Sequence, residues 1–248
     1  MENKKILVFA SKSIGLNCID FLLKEFPNDT YDIVIMDPEA EKIKDSLSAR
    51  DIKFYDVDTY KTKIRTLGLR YDWLLNLWGG LIFKENDLQV AKSSLNIHPS
   101  YLPFGRGRDP VVWGIKYAHP LGATIHSISL GIDEGDIYAQ KEVPYNFGEP
   151  GSQVYEKVIL TCEELFKNVW PDIRAEKIAK QPQDLSPRTN LRSDLIRDRL
   201  IDLDENKELL EVFRTLLAHD FSPGYSAQVK YLNKIYNARL IIEAVNKE

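Results

Sequence analysis

The chain has 248 residues and a formal net charge of −4, and 44% of its residues are hydrophobic. This length suits one large domain, or a domain with a small appendage. The negative charge argues against a protein built to bind nucleic-acid backbone. The sequence also contains no apolar run of about 18 residues, so it predicts no membrane span.

The cellular compartment is indicated by the N-terminal segment and the cysteines. The apolar run near the N-terminus covers only residues 6–10, and no signal-peptide cleavage pattern follows it. Cys18 and Cys162 both lie in helix-like contexts, where two reduced thiols are the expected state. We therefore predict a cytoplasmic protein that does not insert into a membrane.

Short apolar strands alternate with helices through the first hundred residues. The predicted strands are residues 5–10, 31–36, 53–57, 73–77 and 95–98. The predicted helices are residues 14–24, 39–50 and 60–67. Because this alternation is typical of βαβ units, we predict an α/β fold with a Rossmann-like, mostly parallel sheet.

The pattern changes after His98, beginning with a loop at 101–110 that is rich in Gly and Pro. The next predicted elements are a helix at 111–117, a strand at 122–130, a turn at 131–135, a strand at 136–143 and a helix at 152–170. A polar linker at 181–192 precedes a helix at 206–217 and a hairpin of strands 227–231 and 235–242. We therefore predict a core domain of residues 1–182 and a small α+β extension of residues 183–248.

The most informative segment is SLNIHPSYLP, which begins at Ser94. Asn96 and His98 are two positions apart in a predicted strand, so their side chains are expected to point to the same side. Pro99 is expected to end that strand. An amide donor beside an imidazole suits acyl transfer, since one stabilises an oxyanion and the other moves a proton.

Other interpretations of these polar residues stay open at this point. His98 is also compatible with a structural histidine. Asp133 lies in a glycine-bracketed turn, where aspartate is favoured because it stabilises the turn conformation. His98, His126 and Asp133 are residue types that bind metals, but they are 28 and 7 positions apart, which matches no compact ligand signature. We predict no metal.

The first predicted strand is followed by the turn SKSIG, which is not the G-x-G-x-x-G pattern of nicotinamide-binding folds. Because this turn opens a helix, its backbone N–H groups could hold a phosphate, with Lys12 adding positive charge. An ordinary helix start explains the same residues equally well.

Two segments of the chain match a known family in order and spacing. They are SLNIHPSYLPFGRGRDPVVWGI from Ser94 and GATIHSISLGIDEGDIYAQ from Gly122. Their shared pattern is N-x-H-P-S-x-L-P, then G-x-T-x-H, then a D-x-G turn. The chain thereby resembles the folate-dependent formyltransferases, and most closely the sugar N-formyltransferases that act on nucleotide-linked 4-amino-4,6-dideoxy sugars.

The resemblance implies an activity. It implies N10-formyltetrahydrofolate as cosubstrate, the amine of a nucleotide-linked sugar such as dTDP-4-amino-4,6-dideoxyglucose as acceptor, a role in O-antigen or lipopolysaccharide synthesis, and a homodimer. The first alternative is an enzyme like methionyl-tRNA formyltransferase, although that group carries a larger, basic C-terminal domain. The second is a folate-binding protein without transfer activity.

The resemblance also implies roles for individual residues. The catalytic residues are expected to be Asn96, His98 and Asp133. Two loops are expected to hold the folate, through Trp78, Gly80, Leu81, Ile82, Phe83, Leu130, Gly131 and Ile132. Charge and aromaticity suggest Lys12, Ser13, Tyr101, Arg106 and Arg108 for the sugar nucleotide, with solvated surface arginines as the alternative.

Overall fold

The computed structural model describes residues 2–36, 41–68 and 70–243. Its strands are β1 (Lys5–Ala10), β2 (Thr30–Ile35), β3 (Phe54–Asp56), β4 (Tyr71–Leu77), β5 (Ala91–His98), β6 (Gly122–His126), β7 (Ile137–Glu142), β8 (Leu200–Asp202), β9 (Ala227–Tyr231) and β10 (Lys234–Ala238). Its helices are α1 (Lys12–Glu25), α2 (Glu41–Ser48), α3 (Val57–Thr59), α4 (Glu85–Leu88), α5 (Pro110–Tyr117), α6 (Gly151–Arg174), α7 (Arg192–Asp198) and α8 (Leu209–Ala218). A π-helical turn (Tyr60–Ile64) and a 3-10 turn (Arg65–Leu67) continue α3.

The larger sheet has seven strands in the order β3-β2-β1-β4-β5-β6-β7. The pairs β3–β2, β2–β1, β1–β4 and β4–β5 are parallel, whereas β5 and β6 are antiparallel. The predicted α/β fold with a mostly parallel sheet is therefore confirmed. The chain order reverses between β1 and β4, and sheets of this kind bind ligands at the carboxyl ends of strands beside such a reversal.

The described residues group into two compact units. The first comprises Met1–His98, Thr124–Gln140 and Cys162–Gln183, and the second comprises Pro99–Ala123, Lys141–Thr161 and Asp184–Glu248. The division into domains of residues 1–182 and 183–248 stays a prediction. Among the described residues, no helix has the length and apolarity needed to cross a membrane.

The core of the first unit forms around β1, in which all five residues after Lys5 are fully buried. This run is apolar throughout because strands inside a parallel sheet are covered on both faces. One hydrophobic cluster on this sheet contains Leu7, Phe9, Val34, Tyr60, Ile64, Tyr71, Leu74, Phe83 and Val90. Truncating one such leucine to alanine costs about 2–5 kcal/mol in typical cores.

Helix α1 approaches the sheet closely at Gly15. A Cβ atom at this position would lie 2.9 Å from the carbonyl oxygen of Leu77 and 3.0 Å from Cβ of Ala10. Both contacts are shorter than carbon side chains tolerate, and one is to backbone. The glycine in the predicted SKSIG turn therefore lets α1 pack against the ends of β1 and β4.

Several element bounds differ from the sequence prediction. Strand β5 begins four residues earlier, at Ala91, and the predicted strand of residues 122–130 ends at His126. It ends there because Ser94 Oγ accepts from the N–H of Ile128 at 3.1 Å and donates to its carbonyl at 3.3 Å. These side-chain bonds satisfy the backbone that a longer strand would have paired. The first two residues of the predicted helix 39–50 lie outside the described residues.

The second unit contains the predicted hairpin. Strands β9 and β10 pair antiparallel around Leu232 and Asn233, which both have positive φ, as two-residue hairpin turns require. Strand β8 pairs parallel to β9 and completes a three-stranded sheet. Sequence analysis missed β8 and helices α4 and α7, because each has seven residues or fewer and shows little periodicity.

The interior of the second unit is held by a buried histidine. His219 is fully buried, and its ring nitrogens lie 2.8 Å from the hydroxyl of Tyr225 and 3.0 Å from a carboxylate oxygen of Asp198. Lys116 of α5 pairs with the other oxygen of Asp198. These contacts join α5, α7 and α8 by polar groups that satisfy one another.

Candidate active site

The site is built at the carboxyl ends of β4 and β5. Asn76 of β4 is the register partner of Asn96 of β5, and both side chains are at least nine-tenths buried. Two residues further along β5, His98 is 5% exposed. The strand ends at His98, just before Pro99, as predicted. Three polar side chains are therefore buried close together at these strand ends.

A chain of hydrogen bonds orients Asn96. Nδ2 of Asn76 donates to Oδ1 of Asn96 at 2.7 Å, and Nδ2 of Asn96 donates to Nε2 of His126 at 2.9 Å. Nδ1 of His126 lies 2.7 Å from the carbonyl oxygen of Ser127. Since a carbonyl only accepts, the proton of His126 must be on Nδ1 and Nε2 must be the acceptor. The direction of every bond in the chain is thereby fixed.

His126 is therefore a neutral imidazole. Complete burial lowers the pKa of His126 to about 4, and the nearby Asp133 carboxylate opposes part of that effect. A neutral ring is what the bond from Asn96 requires. The physical consequence is that the second N–H of the Asn96 amide stays available for another acceptor.

Asp133 lies between the two histidines. Its carboxylate oxygens are 3.6 Å from Nδ1 of His98 and 3.8 Å from Nε2 of His126. Its φ of 53° is in the left-handed region, which aspartate tolerates better than most residues. The site thus combines an amide, two imidazoles and a carboxylate.

The turn that contains Asp133 is held in place by hydrogen bonds from Gln183. Nε2 of Gln183 donates to the carbonyls of Asp133 and Gly135, at 2.9 and 2.7 Å. Gly135 faces backbone so closely that a Cβ atom there would lie 1.7 Å from the carbonyl oxygen of Ser127. The position of the Asp133 carboxylate therefore depends on contacts well outside the GIDEG motif.

Two loops predicted to hold a folate flank these residues. In the first, Trp78 is buried with a φ of 86°, and its carbonyl accepts from Ser11 Oγ at 2.9 Å. Phe83 belongs to the hydrophobic cluster defined above, and Leu81 and Ile128 pack against that cluster. The other predicted residues present apolar or backbone surface: Ile82 (69% exposed), Leu130 (63%), Ile132 (40%), Gly80 and Gly131.

The residues predicted to bind the sugar nucleotide fall in both units. Lys12 and Ser13 are exposed in the first turn of α1, and Lys12 has a positive φ of 55°. In the second unit, Tyr101 is half-buried and Arg108 is exposed. Arg106 is only 2% exposed, and its guanidinium donates to the carbonyls of Leu185 and Pro187.

Among the residues that the structure describes, no group of three or more His, Cys, Asp or Glu side chains is arranged to hold a metal ion. Cys18 and Cys162 are both buried as free thiols, and burial raises the pKa of each. The amide, imidazole and carboxylate groups of the site are side chains suited to oxyanion binding and proton transfer.

Asn76 and Gln183 were missed by sequence reasoning as contributors to the site. Asn76 interrupts the apolar strand WLLNL, the same signal that pointed to Asn96, and could have been found that way. Gln183 lies in a polar segment with nothing to distinguish it. Only the fold brings its side chain to the carbonyls of the Asp133 turn.

The part of the chain that contains the site resembles a known protein family. The formyl transferase family model matches residues 74–169. This segment contains the last four residues of β4, all of β5 and the whole Asn96–His98–Asp133 cluster. Residues 74–169 therefore resemble the formyl transferase family.

The chain is similar to proteins with two different activities. A methionyl-tRNA formyltransferase of Fervidobacterium nodosum is 33% identical over 145 residues, which are 58% of this chain and 45% of that protein. A dTDP-4-amino-4,6-dideoxyglucose formyltransferase of Mycobacterium bovis is 29% identical over 130 residues, 51% of this chain and 56% of that protein. The chain thus spans about half the length of the curated relatives it matches.

Solved structures match nearly the whole chain. A 4-N formyltransferase from Francisella tularensis has a TM-score of 0.84 and 25% identity, and the match covers 98% of this chain and 99% of that one. An N-formyltransferase from Helicobacter canadensis, solved with folinic acid and dTDP-3-aminofucose, has a TM-score of 0.71 at 20% identity, covering 94% and 85%. The chain therefore shares the fold of these proteins.

Proposed function

We propose that this protein is a sugar N-formyltransferase. It moves a formyl group from N10-formyltetrahydrofolate to the amino group of a nucleotide-linked amino-dideoxy sugar. The observation that carries this proposal is the convergence of Asn96, His98 and Asp133 at one sheet edge, inside the segment that resembles the formyl transferase family. Each of these side chains supplies one of the operations that formyl transfer needs.

The amide of Asn96 and the ring of His98 stabilise negative charge. When an amine attacks the formyl carbon, charge grows on the formyl oxygen. The orientation of Asn96 leaves an N–H for that oxygen, and a ring N–H of His98 supplies a second donor. Both donors are buried, so their electrostatic effect is less screened than in water.

The carboxylate of Asp133 handles the proton. The attacking amine forms the new C–N bond and must lose a proton, while the bond from the formyl carbon to N10 breaks and N10 must gain one. Asp133 lies 3.6 Å from His98, so it can orient that ring and accept the proton from the amine directly or through water. The proton then returns to the leaving nitrogen, and the site ends in its starting state.

The two loops fit the folate cosubstrate. A pteridine is flat and edged with donors and acceptors, and it suits apolar side chains next to exposed backbone. Ile82, Leu130 and Ile132 offer exposed apolar surface on the loops, and Gly80 and Gly131 leave their backbone open. The folate complex of the Helicobacter canadensis enzyme supports this choice of cosubstrate.

A sugar nucleotide is a better acceptor than tRNA for this chain. Its net charge of −4 is unfavourable for binding a phosphate backbone. The similarity to the Francisella tularensis 4-N formyltransferase and to the Mycobacterium bovis dTDP-4-amino-4,6-dideoxyglucose formyltransferase supports this choice of acceptor. Lys12, Ser13, Tyr101, Arg106 and Arg108 are proposed for the sugar nucleotide.

Further parts of the proposal concern the cell. They are a cytoplasmic location, a homodimer, and a role in lipopolysaccharide or O-antigen synthesis. Support comes from the resemblance to sugar N-formyltransferases. The location, the homodimer and the role in synthesis do not affect the proposed reaction at the site.

The proposal is tested by a formyl-transfer assay. The protein and N10-formyltetrahydrofolate are incubated separately with dTDP-, UDP- and GDP-linked 4-amino sugars, methionyl-tRNA and glycinamide ribonucleotide. The expected result is a formyl mass gain on one amino sugar alone. Transfer to methionyl-tRNA instead would replace the proposed acceptor. Folate binding without transfer to any acceptor would favour a binding protein.

A further inference from the structure

Asn76 is a buried amide within the apolar run WLLNL of β4. Its neighbours Leu75 and Leu77 are fully buried, and Asn76 itself is 4% exposed. A polar group in such a place costs free energy unless it is hydrogen-bonded. The hydrogen bonds of the Asn76 side chain therefore show why an amide is present at this position.

The amide of Asn76 is only partly satisfied. Nδ2 donates to Oδ1 of Asn96 at 2.7 Å and lies 3.4 Å from the carbonyl oxygen of Gly79. Oδ1 of Asn76 is buried and has no hydrogen-bond partner among the residues that the structure describes. A leucine here would leave no such acceptor. The NH₂ group of Asn76 therefore makes the hydrogen bonds at this position, and its oxygen makes none with the residues that the structure describes.

The donor of Asn76 acts together with the acceptor Nε2 of His126 to set which end of the Asn96 amide faces which neighbour. An amide can rotate by half a turn with almost no change of shape, which would exchange its oxygen and its nitrogen. In the rotated state, two N–H groups would face each other between Asn76 and Asn96. The bond from Asn76 therefore holds the N–H groups of Asn96 on the side of His126.

We infer that Asn76 is a positioning residue for formyl transfer, acting by fixing the amide orientation of Asn96. The inference rests on the proposed function, because it assumes that Asn96 donates to the formyl oxygen in the transition state. Asn76 itself need not touch either substrate. A misplaced donor of this kind typically lowers rates by about 10²-fold.

Two variants test this role in the full-length protein. Asn76→Leu removes the donor, and we expect kcat to fall about 10–100-fold while KM for both substrates changes much less. Asn76→Asp has nearly the same shape, but its ionised carboxylate only accepts hydrogen bonds. Its kcat should also fall at neutral pH. Because a protonated carboxyl donates again, its kcat relative to wild type should rise as the pH is lowered, whereas that of Asn76→Leu should not.

The matched control is Asn17→Leu. Asn17 is exposed on α1 and donates to Glu163 of α6 at 2.8 Å, so this change also removes one asparagine hydrogen bond. We expect wild-type kinetics. Thermal unfolding of all three variants separates misfolding from misorientation. If Asn76→Leu does not fold, the pH profile of Asn76→Asp decides alone.

The outcomes distinguish this inference from the proposed function. If wild type transfers formyl and either folded Asn76 variant keeps the wild-type kcat at neutral pH, the positioning role is wrong. A lower kcat for Asn76→Asp that does not recover at low pH would equally overturn it. If wild type itself transfers nothing, the proposed function fails and the inference falls with it.

Discussion

Asn96 and His126 are joined side chain to side chain, with Nδ2 of the amide 2.9 Å from Nε2 of the ring. This bond exists only while His126 is neutral, because a protonated imidazole has no acceptor. Burial keeps it so by lowering the pKa of His126 to about 4. The orientation of the central amide of the site thus depends on a histidine that carries no charge.

The first prediction concerns stability at acid pH. Burial lowers the pKa of both His126 and His219 to about 4, below their ordinary value of 6.5. Between these two values the unfolded chain binds protons that the folded protein excludes, so stability is lost as the pH falls from 6.5 towards 4. The loss should be a few kcal/mol, measured by chemical unfolding at a series of pH values. His126→Gln and His219→Gln should each flatten this dependence, and an unchanged slope in both variants would contradict the prediction.

The second prediction concerns catalysis by His98 and Asp133. His98→Ala removes an oxyanion donor and should lower kcat by about 10²–10³-fold. Asp133→Asn should lower kcat by about 10²–10⁴-fold by removing the base. Asparagine tolerates the left-handed φ of this position, so the turn should keep its shape.

The control for Asp133 lies three residues away. Asp136 is about half exposed and 3.9 Å from Lys180, so Asp136→Asn should leave turnover near wild type. Folding of each variant is checked by circular dichroism, and sugar-nucleotide binding by calorimetry. Near-normal turnover in His98→Ala or Asp133→Asn would remove that residue from the proposed mechanism.

The third prediction concerns the glutamine that pins the Asp133 turn. Gln183→Ala removes two hydrogen bonds to the turn carbonyls and should lower kcat about tenfold by loosening the carboxylate. Gln89→Ala, at an exposed glutamine on the same unit, should not change it. Steady-state kinetics of both variants provide the test, and equal kcat values would show that the turn holds Asp133 without Gln183.

The fourth prediction contrasts two glycines of the GIDEG turn. A Cβ atom at Gly135 would lie 1.7 Å from a backbone oxygen, whereas at Gly131 the nearest atom is a carboxylate oxygen of the flexible Glu134 side chain, 2.0 Å away. Gly135→Ala should therefore destabilise the protein by about 1–3 kcal/mol and abolish most turnover. Gly131→Ala should be nearly neutral in stability, because Glu134 can move aside. Thermal unfolding compares the two, and equal melting temperatures would argue that the backbone adapts.

Much of the fold could be predicted from local sequence. Strand β1 has the bounds expected from its apolar run. The hairpin of β9 and β10 lies where it was predicted, although its second strand ends at Ala238 and not at residue 242. Burial on both faces of a parallel strand selects apolar residues at every position, which makes such strands easy to detect. Helix α7 and strand β8 have no such pattern, because tertiary contacts rather than periodicity stabilise short elements.

The sequence by itself determined which chemical groups this protein brings to its site. The i, i+2 spacing on one strand placed Asn96 beside His98, and a glycine-bracketed turn supplied Asp133. Only the tertiary structure decided how these groups are oriented. The amide of Asn96 is set by Asn76 on a neighbouring strand and by His126, and the turn of Asp133 is set by Gln183, 50 residues further along the chain. Hydrogen bonds act over about 3 Å in space and are indifferent to separation in sequence, so no local pattern could reveal these partners.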